Sequence, residues 1–182
     1  GNDLAEQRGD PVVPTDDSAF NEAVTRVDNQ PSRWLAIGGT RSVDHFHREL
    51  GRLVWEHVGM SRNRTGLEKA LSEIAALKSE FNTDVRILGS TDTLNASLEK
   101  AGRVADFFEL AELMARDALK REESCGGHFR EEHQTKEGEA QRDDKNFTHV
   151  AAWSWEGHDT VQTRHKEELI FENVTPTQRN YK

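Results

Sequence analysis

The run Arg121-Glu122-Glu123-Ser124-Cys125-Gly126-Gly127-His128-Phe129-Arg130-Glu131-Glu132 gathers the most chemistry in the chain. Ser124, His128 and Arg130 put a hydroxyl, an imidazole and a guanidinium within seven residues. The Gly126-Gly127 pair allows backbone geometries that other residues resist. Such a loop can contact a cofactor, a substrate or a partner. On the residues alone the favoured reading is that it closes a helix, its charges satisfying nearby carbonyls. Cys125 with His128 and His133 offers a thiolate and two imidazoles to zinc, yet structural zinc takes four ligands, and the chain holds one cysteine. A neighbouring imidazole can activate a thiol, whereas a single cysteine is more often a small buried side chain. His45-Phe46-His47 makes a poor metal pair, because residues two apart on a helix do not face each other. Arg142-Asp143-Asp144 reads as a charged latch or as a solvated turn. Among the tryptophans, Trp153 and Trp155 lie where little core can form, which suits an interface anchor.

The elements that must position these groups are mostly helical. Val43, Phe46, Leu50, Leu53, Val54 and Val58 recur at three and four, giving a helix over about 43–58 with Ser42 as N-cap and Gly59 as C′ residue. Thr65-Gly66-Leu67-Glu68 fits a capping box for a second helix over about 66–81. A short extended piece, Val85–Leu88, follows. A third helix of roughly 28 residues starts near Leu94 and carries a stripe down to Leu119, with Val104, Phe107, Leu110 and Met114 widening it enough to pack against two neighbours. Residues 17–30 suggest one short helix stopped by Pro31. Trp34–Gly39 then reads as a buried connector or a docking segment. Residues 147–155 alternate as a strand, Gly157-His158-Asp159 can turn the chain, and Leu169-Ile170-Phe171 is the expected partner strand.

The fold class expected is therefore mainly α. A three-helix bundle, spectrin-like and up-down-up, occupies 42–122. Residues 1–41 are a tail or linker, and 123–182 form a glycine-rich loop and a β-containing arm.

With 24 Lys and Arg against 33 Asp and Glu, the formal charge is −9. This argues against nucleic acid, whose binders carry a basic footprint. The chain has 34 % hydrophobic residues, 31 % charged residues and a mean hydropathy of −0.83, with no apolar run long enough to span a bilayer. The start lacks the basic and apolar regions of a signal peptide, and one cysteine cannot make an internal disulfide, so a reducing cytoplasm is expected. The missing initiator Met suggests a fragment. There is no Gly-x-Gly-x-x-Gly opening a helix, no Walker A motif, no nucleophile elbow and no His-Glu-x-x-His. No catalytic, cofactor-binding or metal-ligating residue is assigned.

Three segments in order carry a family resemblance. They are Phe46-His47-Arg48-Glu49-Leu50-Gly51 through Val58-Gly59-Met60-Ser61-Arg62-Asn63, then Leu98 through Phe107, then Arg121 through Glu132. Together they resemble the C-terminal region of the flavoprotein subunit of succinate dehydrogenase and fumarate reductase, in its longer subgroup. Cys125 and Gly127 stand where the common family form has Arg and Ala, and Cys125 cannot supply that Arg's charge. The resemblance implies a domain that packs against FAD-binding and capping domains of the same subunit, with FAD in the full-length parent and none on this piece. It implies an iron–sulfur subunit as partner, no nucleic acid, no direct membrane insertion, and a cytoplasmic place on the inner face of the membrane through partner subunits. Arg121, Ser124, His128, Arg130, Arg142, Asp143, Trp153 and Trp155 are the candidate inter-domain contacts. The alternatives are the C-terminal domain of a related flavoprotein such as L-aspartate oxidase, or an independent helical interaction module.

Overall fold

Each long helix begins where a side chain takes a backbone N–H that the helix leaves unpaired. The computed structural model describes residues 12–157 and 160–177. Among them the chain is mainly α with a partly β extension, and no helix is long and apolar enough to cross a membrane.

Helix α1 spans Ser18–Ile37, opened by Asp17 accepting the Ala19 N–H at 2.9 Å. The expected stop at Pro31 is overturned, for Pro31 lies inside α1. Proline removes one helical donor at a cost of about 3 kcal/mol. Here the last turns gain packing in return: Trp34 sets its ring edge-on to Phe81, centroids 6.4 Å apart, and approaches Gly102. Gly38, at φ 59°, ends the helix in the left-handed conformation. Gly39 is required for another reason, since a Cβ there would stand 2.0 Å from the Asp84 carbonyl oxygen.

Strand β1, Arg41–Ser42, pairs in parallel with β3, Val85–Arg86, the extended piece expected after the second long helix. Helix α2 spans Val43–His57, and Ser42 accepts the His45 N–H at 3.2 Å, as expected of its cap. Gly59 takes no left-handed φ. It is needed because a Cβ would lie 2.8 Å from the Trp55 carbonyl oxygen. Helix α3 spans Arg64–Asp84, longer than expected at both ends. Its cap is Asn63, which accepts the Gly66 N–H at 2.8 Å, rather than Thr65. Asn63 is held for that task by its amide donating to Glu131 at 2.7 Å. Helix α4 spans Ala96–Lys120 and is capped by Asn95. Leu94 therefore falls outside it, fully exposed.

Contacts divide the chain into two units. One runs through Phe46 and takes in Ser79–Ala105; Phe46, Phe81, Val85, Ala101 and Val104 are buried in it. The other comprises His47–Lys78 and the chain from Asp106 onward; Leu50, Leu53, Leu67, Ile74, Phe108, Ala111 and Ala115 are buried there. Phe107, Leu110 and Met114 correct the expectation of a doubly packed α4, being 41 %, 55 % and 51 % exposed. Their side chains turn away from the arc holding Phe108, Ala111 and Ala115.

In the second unit β2, Ser61–Arg62, pairs in parallel with β4, Phe129–Arg130. A one-turn helix, α5 (Asp144–Phe147), starts at Asp143. Strands β5, His149–Ser154, and β6, Thr163–Glu168, form an antiparallel hairpin with His149 opposite Glu168 and Trp153 opposite Arg164. The hairpin was expected, but two of its details are corrected. Phe147 belongs to α5 rather than to the strand, and the partner strand is the charged Thr163–Glu168, not Leu169–Phe171. Pairing follows backbone register across the turn, and β6 is mostly exposed, so an apolar run was the wrong signal. Gly157 has φ 114° at the expected turn, whose His158 and Asp159 lie outside the described residues.

Candidate functional site

The loop after α4 folds back to close that helix. A helix leaves its last carbonyls unpaired and carries partial negative charge at that end. Here the Arg121 N–H bonds the Asp117 carbonyl at 3.1 Å. Arg130 Nη1 donates to the carbonyls of Ala118, Leu119 and Arg121 at 3.0, 3.3 and 3.3 Å. His128 Nε2 lies 2.9 Å from the Arg121 carbonyl oxygen, and because a carbonyl only accepts, that nitrogen carries a proton. Arg130 is 1 % exposed, and its Nε donates to Glu132 at 3.2 Å. A buried guanidinium is tolerated when its donors are paired, and here Nη1 meets carbonyls and Nε a carboxylate.

The backbone delivers Arg130 to this place. Its strand pairs with the α2–α3 connection: the Phe129 N–H donates to Met60 at 3.1 Å and the Glu131 N–H to Arg62 at 2.9 Å. Buried Ser124 accepts the Arg130 N–H at 2.8 Å and donates to its carbonyl at 3.1 Å. Cys125 and His128 exchange backbone hydrogen bonds of 2.8 and 3.1 Å across a turn whose Gly126 has φ 60°, a value that favours glycine.

A second ion pair extends the network. Glu123 is 2 % exposed. Arg121 donates to its Oε1 at 2.9 and 2.5 Å, and the Asp143 N–H donates to its Oε2 at 2.9 Å. Arg121 also bonds the Phe147 carbonyl at 3.2 Å and lies 6.0 Å from that ring's centroid. Arg142 pairs with Asp144 at 2.5 Å and donates to the Thr177 carbonyl at 3.0 Å. Trp153 donates its indole N–H to Asp117 at 2.8 Å, tying the hairpin to α4. Trp155 is 61 % exposed and outside the strand.

Five of the eight candidate contact residues thus join one network: Arg121, Ser124, His128 and Arg130 directly, and Asp143 through Glu123. Trp153 meets α4 separately, while Arg142 and Trp155 lie apart from the cap. Glu123 and Arg62 were missed. Glu123 looked like one charge in a charged run, and only its burial sets it apart. Arg62 donates to the carbonyls of Val58 and Gly127 at 3.3 and 3.4 Å, while its Nε is buried without a partner.

Cations crowd this end of α4, and titration follows. Burial, then Arg130 nearby, lowers the Arg62 pKa. Burial lowers that of His128, helped by Arg62, Arg121 and Arg130 and opposed by the Arg121 carbonyl bond. Burial also lowers His149, with Lys166, Arg121 and Arg164 adding to it. For Glu132 burial pushes upward, but the Arg64 N–H and Arg130 prevail and hold the carboxyl below its usual range.

Chemically the arrangement braces and positions. Among the described residues no group of three or more His, Cys, Asp or Glu side chains is placed to hold a metal ion. Gly39 is closed off by the Asp84 backbone, and Gly126 is taken up in the Cys125–His128 turn.

Residues 47–181 match the family described as fumarate reductase flavoprotein C-term, and the chain belongs to that family. It is 29 % identical over 143 residues to a fumarate reductase flavoprotein subunit of Serratia sp., covering 79 % of this chain and 23 % of that protein. It is 36 % identical over 122 residues to L-aspartate oxidase 2 of Ralstonia nicotianae, covering 65 % of this chain and 21 % of that protein. The chain spans less than a quarter of either relative. A solved structure of a quinol-fumarate reductase with menaquinol molecules shares the fold at TM-score 0.77 and 22 % identity, over 96 % of this chain and 29 % of that one.

Proposed function

We propose that this chain is the C-terminal helical domain of a flavoprotein subunit that interconverts succinate and fumarate. The family match over residues 47–181 carries this reading. The parent passes a hydride between substrate and FAD and sends electrons to an iron–sulfur subunit and quinone. This domain packs on the flavin-binding and capping domains and is not catalytic alone. FAD belongs to the parent, and the complex sits peripherally on the inner, cytoplasmic face of the membrane through its other subunits. The closed end of α4 supports a scaffolding role, because Arg130 and His128 are committed to its carbonyls and Arg121 to Glu123.

L-aspartate oxidase is the second reading for the parent, favoured by the Ralstonia relative. Co-expression of residues 1–182 with the upstream flavin-binding part of the parent tests both. Succinate-driven dye reduction and bound flavin that require both pieces support the first reading. Oxidation of L-aspartate without succinate activity supports the second. Full activity of the upstream part alone refutes the scaffolding role.

A further inference from the structure

Phe107, Leu110 and Met114 form an open apolar face on α4. At 100° per residue they share an arc about 60° wide. At one end His47 of α2 stacks on Phe107, ring centroids 5.9 Å apart. His47, Gly51 and Trp55 recur every four residues along α2 and so share a side of that helix. Gly51 has no atom within 4 Å of where a Cβ would stand, and Trp55 is 87 % exposed. Two exposed charges of opposite sign stand beside these apolar residues, Asp106 next to Phe107 and Arg48 next to His47. Among the described residues neither enters an ion pair. An uncovered apolar face of this kind, with polar groups at its rim, marks an interaction site. Most of the residues nominated from sequence as inter-domain contacts hydrogen-bond within the cap of α4.

We infer that the Phe107–Leu110–Met114 face is where the flavin-binding part of the same polypeptide docks, through an apolar segment with a basic residue opposite Asp106. This rests on the proposed reading of the chain as one domain of a longer subunit. Charge argues against a second copy as the occupant, because each copy carries −9 and repels the other. A cation opposite Asp106 fixes the orientation of the docked segment more than it adds affinity. Tethering selects the source. This chain covers 23 % of its Serratia relative, and a covalently linked domain reaches the face at an effective concentration on the order of millimolar, enough for a modest patch.

The chain's two methionines make the test. Met114 lies on the face, and Met60, 71 % exposed, lies off it. Hydroxyl-radical oxidation, read by peptide mass spectrometry, compares the 182-residue chain with the intact parent subunit. Met114 oxidation is expected to fall at least tenfold in the parent, with Met60 within twofold. The parent variant Asp106→Lys/Leu110→Glu is expected to regain Met114 oxidation several-fold without losing its far-UV circular dichroism. Equal Met114 oxidation in both proteins overturns the inference. So does protection that appears only when other subunits are added, or that rises with concentration in the 182-residue chain, and so does a folded double variant that stays protected. Should the double variant unfold, Asp106→Lys alone, at an exposed position, carries the same comparison. Failure of the underlying reading shows elsewhere, as a parent subunit without flavin and without succinate or fumarate activity.

Discussion

Arg130 Nη1 lies 3.0 Å from the Ala118 carbonyl oxygen, so a side chain ten residues beyond α4 supplies the donor that closes it. Arg130→Ala leaves the Ala118 and Leu119 carbonyls without this donor and opens a cavity where a fully buried side chain stood. Unsatisfied buried groups cost about 1–3 kcal/mol each, so a loss of about 3 kcal/mol or more is expected in urea unfolding. Arg130→Lys recovers only part of it, because an ammonium lacks the planar fork that serves carbonyls and Glu132 together. A loss below about 1 kcal/mol for the alanine variant would show that the cap is dispensable.

Glu123 holds Arg121 and the Asp143 N–H from opposite oxygens. Glu123→Ala removes the carboxylate that pairs with Arg121 at hydrogen-bond distance, so about 2–4 kcal/mol of destabilisation is expected. Glu123→Gln keeps one acceptor and loses less. Thermal melting of the two variants, ranked in the opposite order, would contradict this account.

Acid should loosen the end of α4 and the hairpin. His128 and His149 both have folded pKa values lowered, chiefly by burial. Their unfolded values are near 6.5, so the unfolded chain binds protons that the folded chain refuses. Stability is then whole above about pH 6.5 and falls as pH drops from there toward the lowered folded values. Glu132 and Asp84, whose folded values are lowered, add a separate loss that begins nearer about pH 4.5. Denaturant midpoints between about pH 5 and 8 measure the first window. His149→Phe, against the Phe147 ring, should flatten it, and an unchanged slope in that variant would assign the effect elsewhere.

The hairpin is tied to α4 by the hydrogen bond from Trp153 to Asp117, at 2.8 Å. Two strands alone are marginal in water. Trp153→Phe keeps most of the ring but not the donor, and is expected to cost about 1 kcal/mol. Hydrogen exchange should quicken through β5 and β6 while α2 and α3 stay protected; uniform quickening would mean global destabilisation instead.

Asn63, not Thr65, opens α3. Asn63→Ala is expected to lower stability by about 1–2 kcal/mol and Thr65→Ala by less than about 0.5 kcal/mol. Melting temperatures of the pair decide between the two caps.

The periodic apolar residues Phe46, Leu50, Leu53, Leu67, Ile74, Phe108 and Ala115 determined α2, α3 and α4 by themselves, because helical spacing is written into neighbouring positions. Ser42 as a cap and the glycine-assisted loop after Lys120 were also legible, as was the family, through three segments in order. What tertiary structure decided depends on residues distant in sequence. Pro31 stays within α1 because Trp34 finds Phe81. Asn63 displaces Thr65 as a cap because Glu131 holds it. Thr163–Glu168 becomes a strand because β5 supplies its hydrogen bonds. Phe107, Leu110 and Met114 have the same residue types as a packed stripe, and only the neighbours brought by folding separate the covered arc of α4 from the open one. The loop's hydrogen bonds were decided in the same way: the burial of Arg130 against three carbonyls joins Ser124, His128 and Arg130 in the closure of α4, which local spacing does not show.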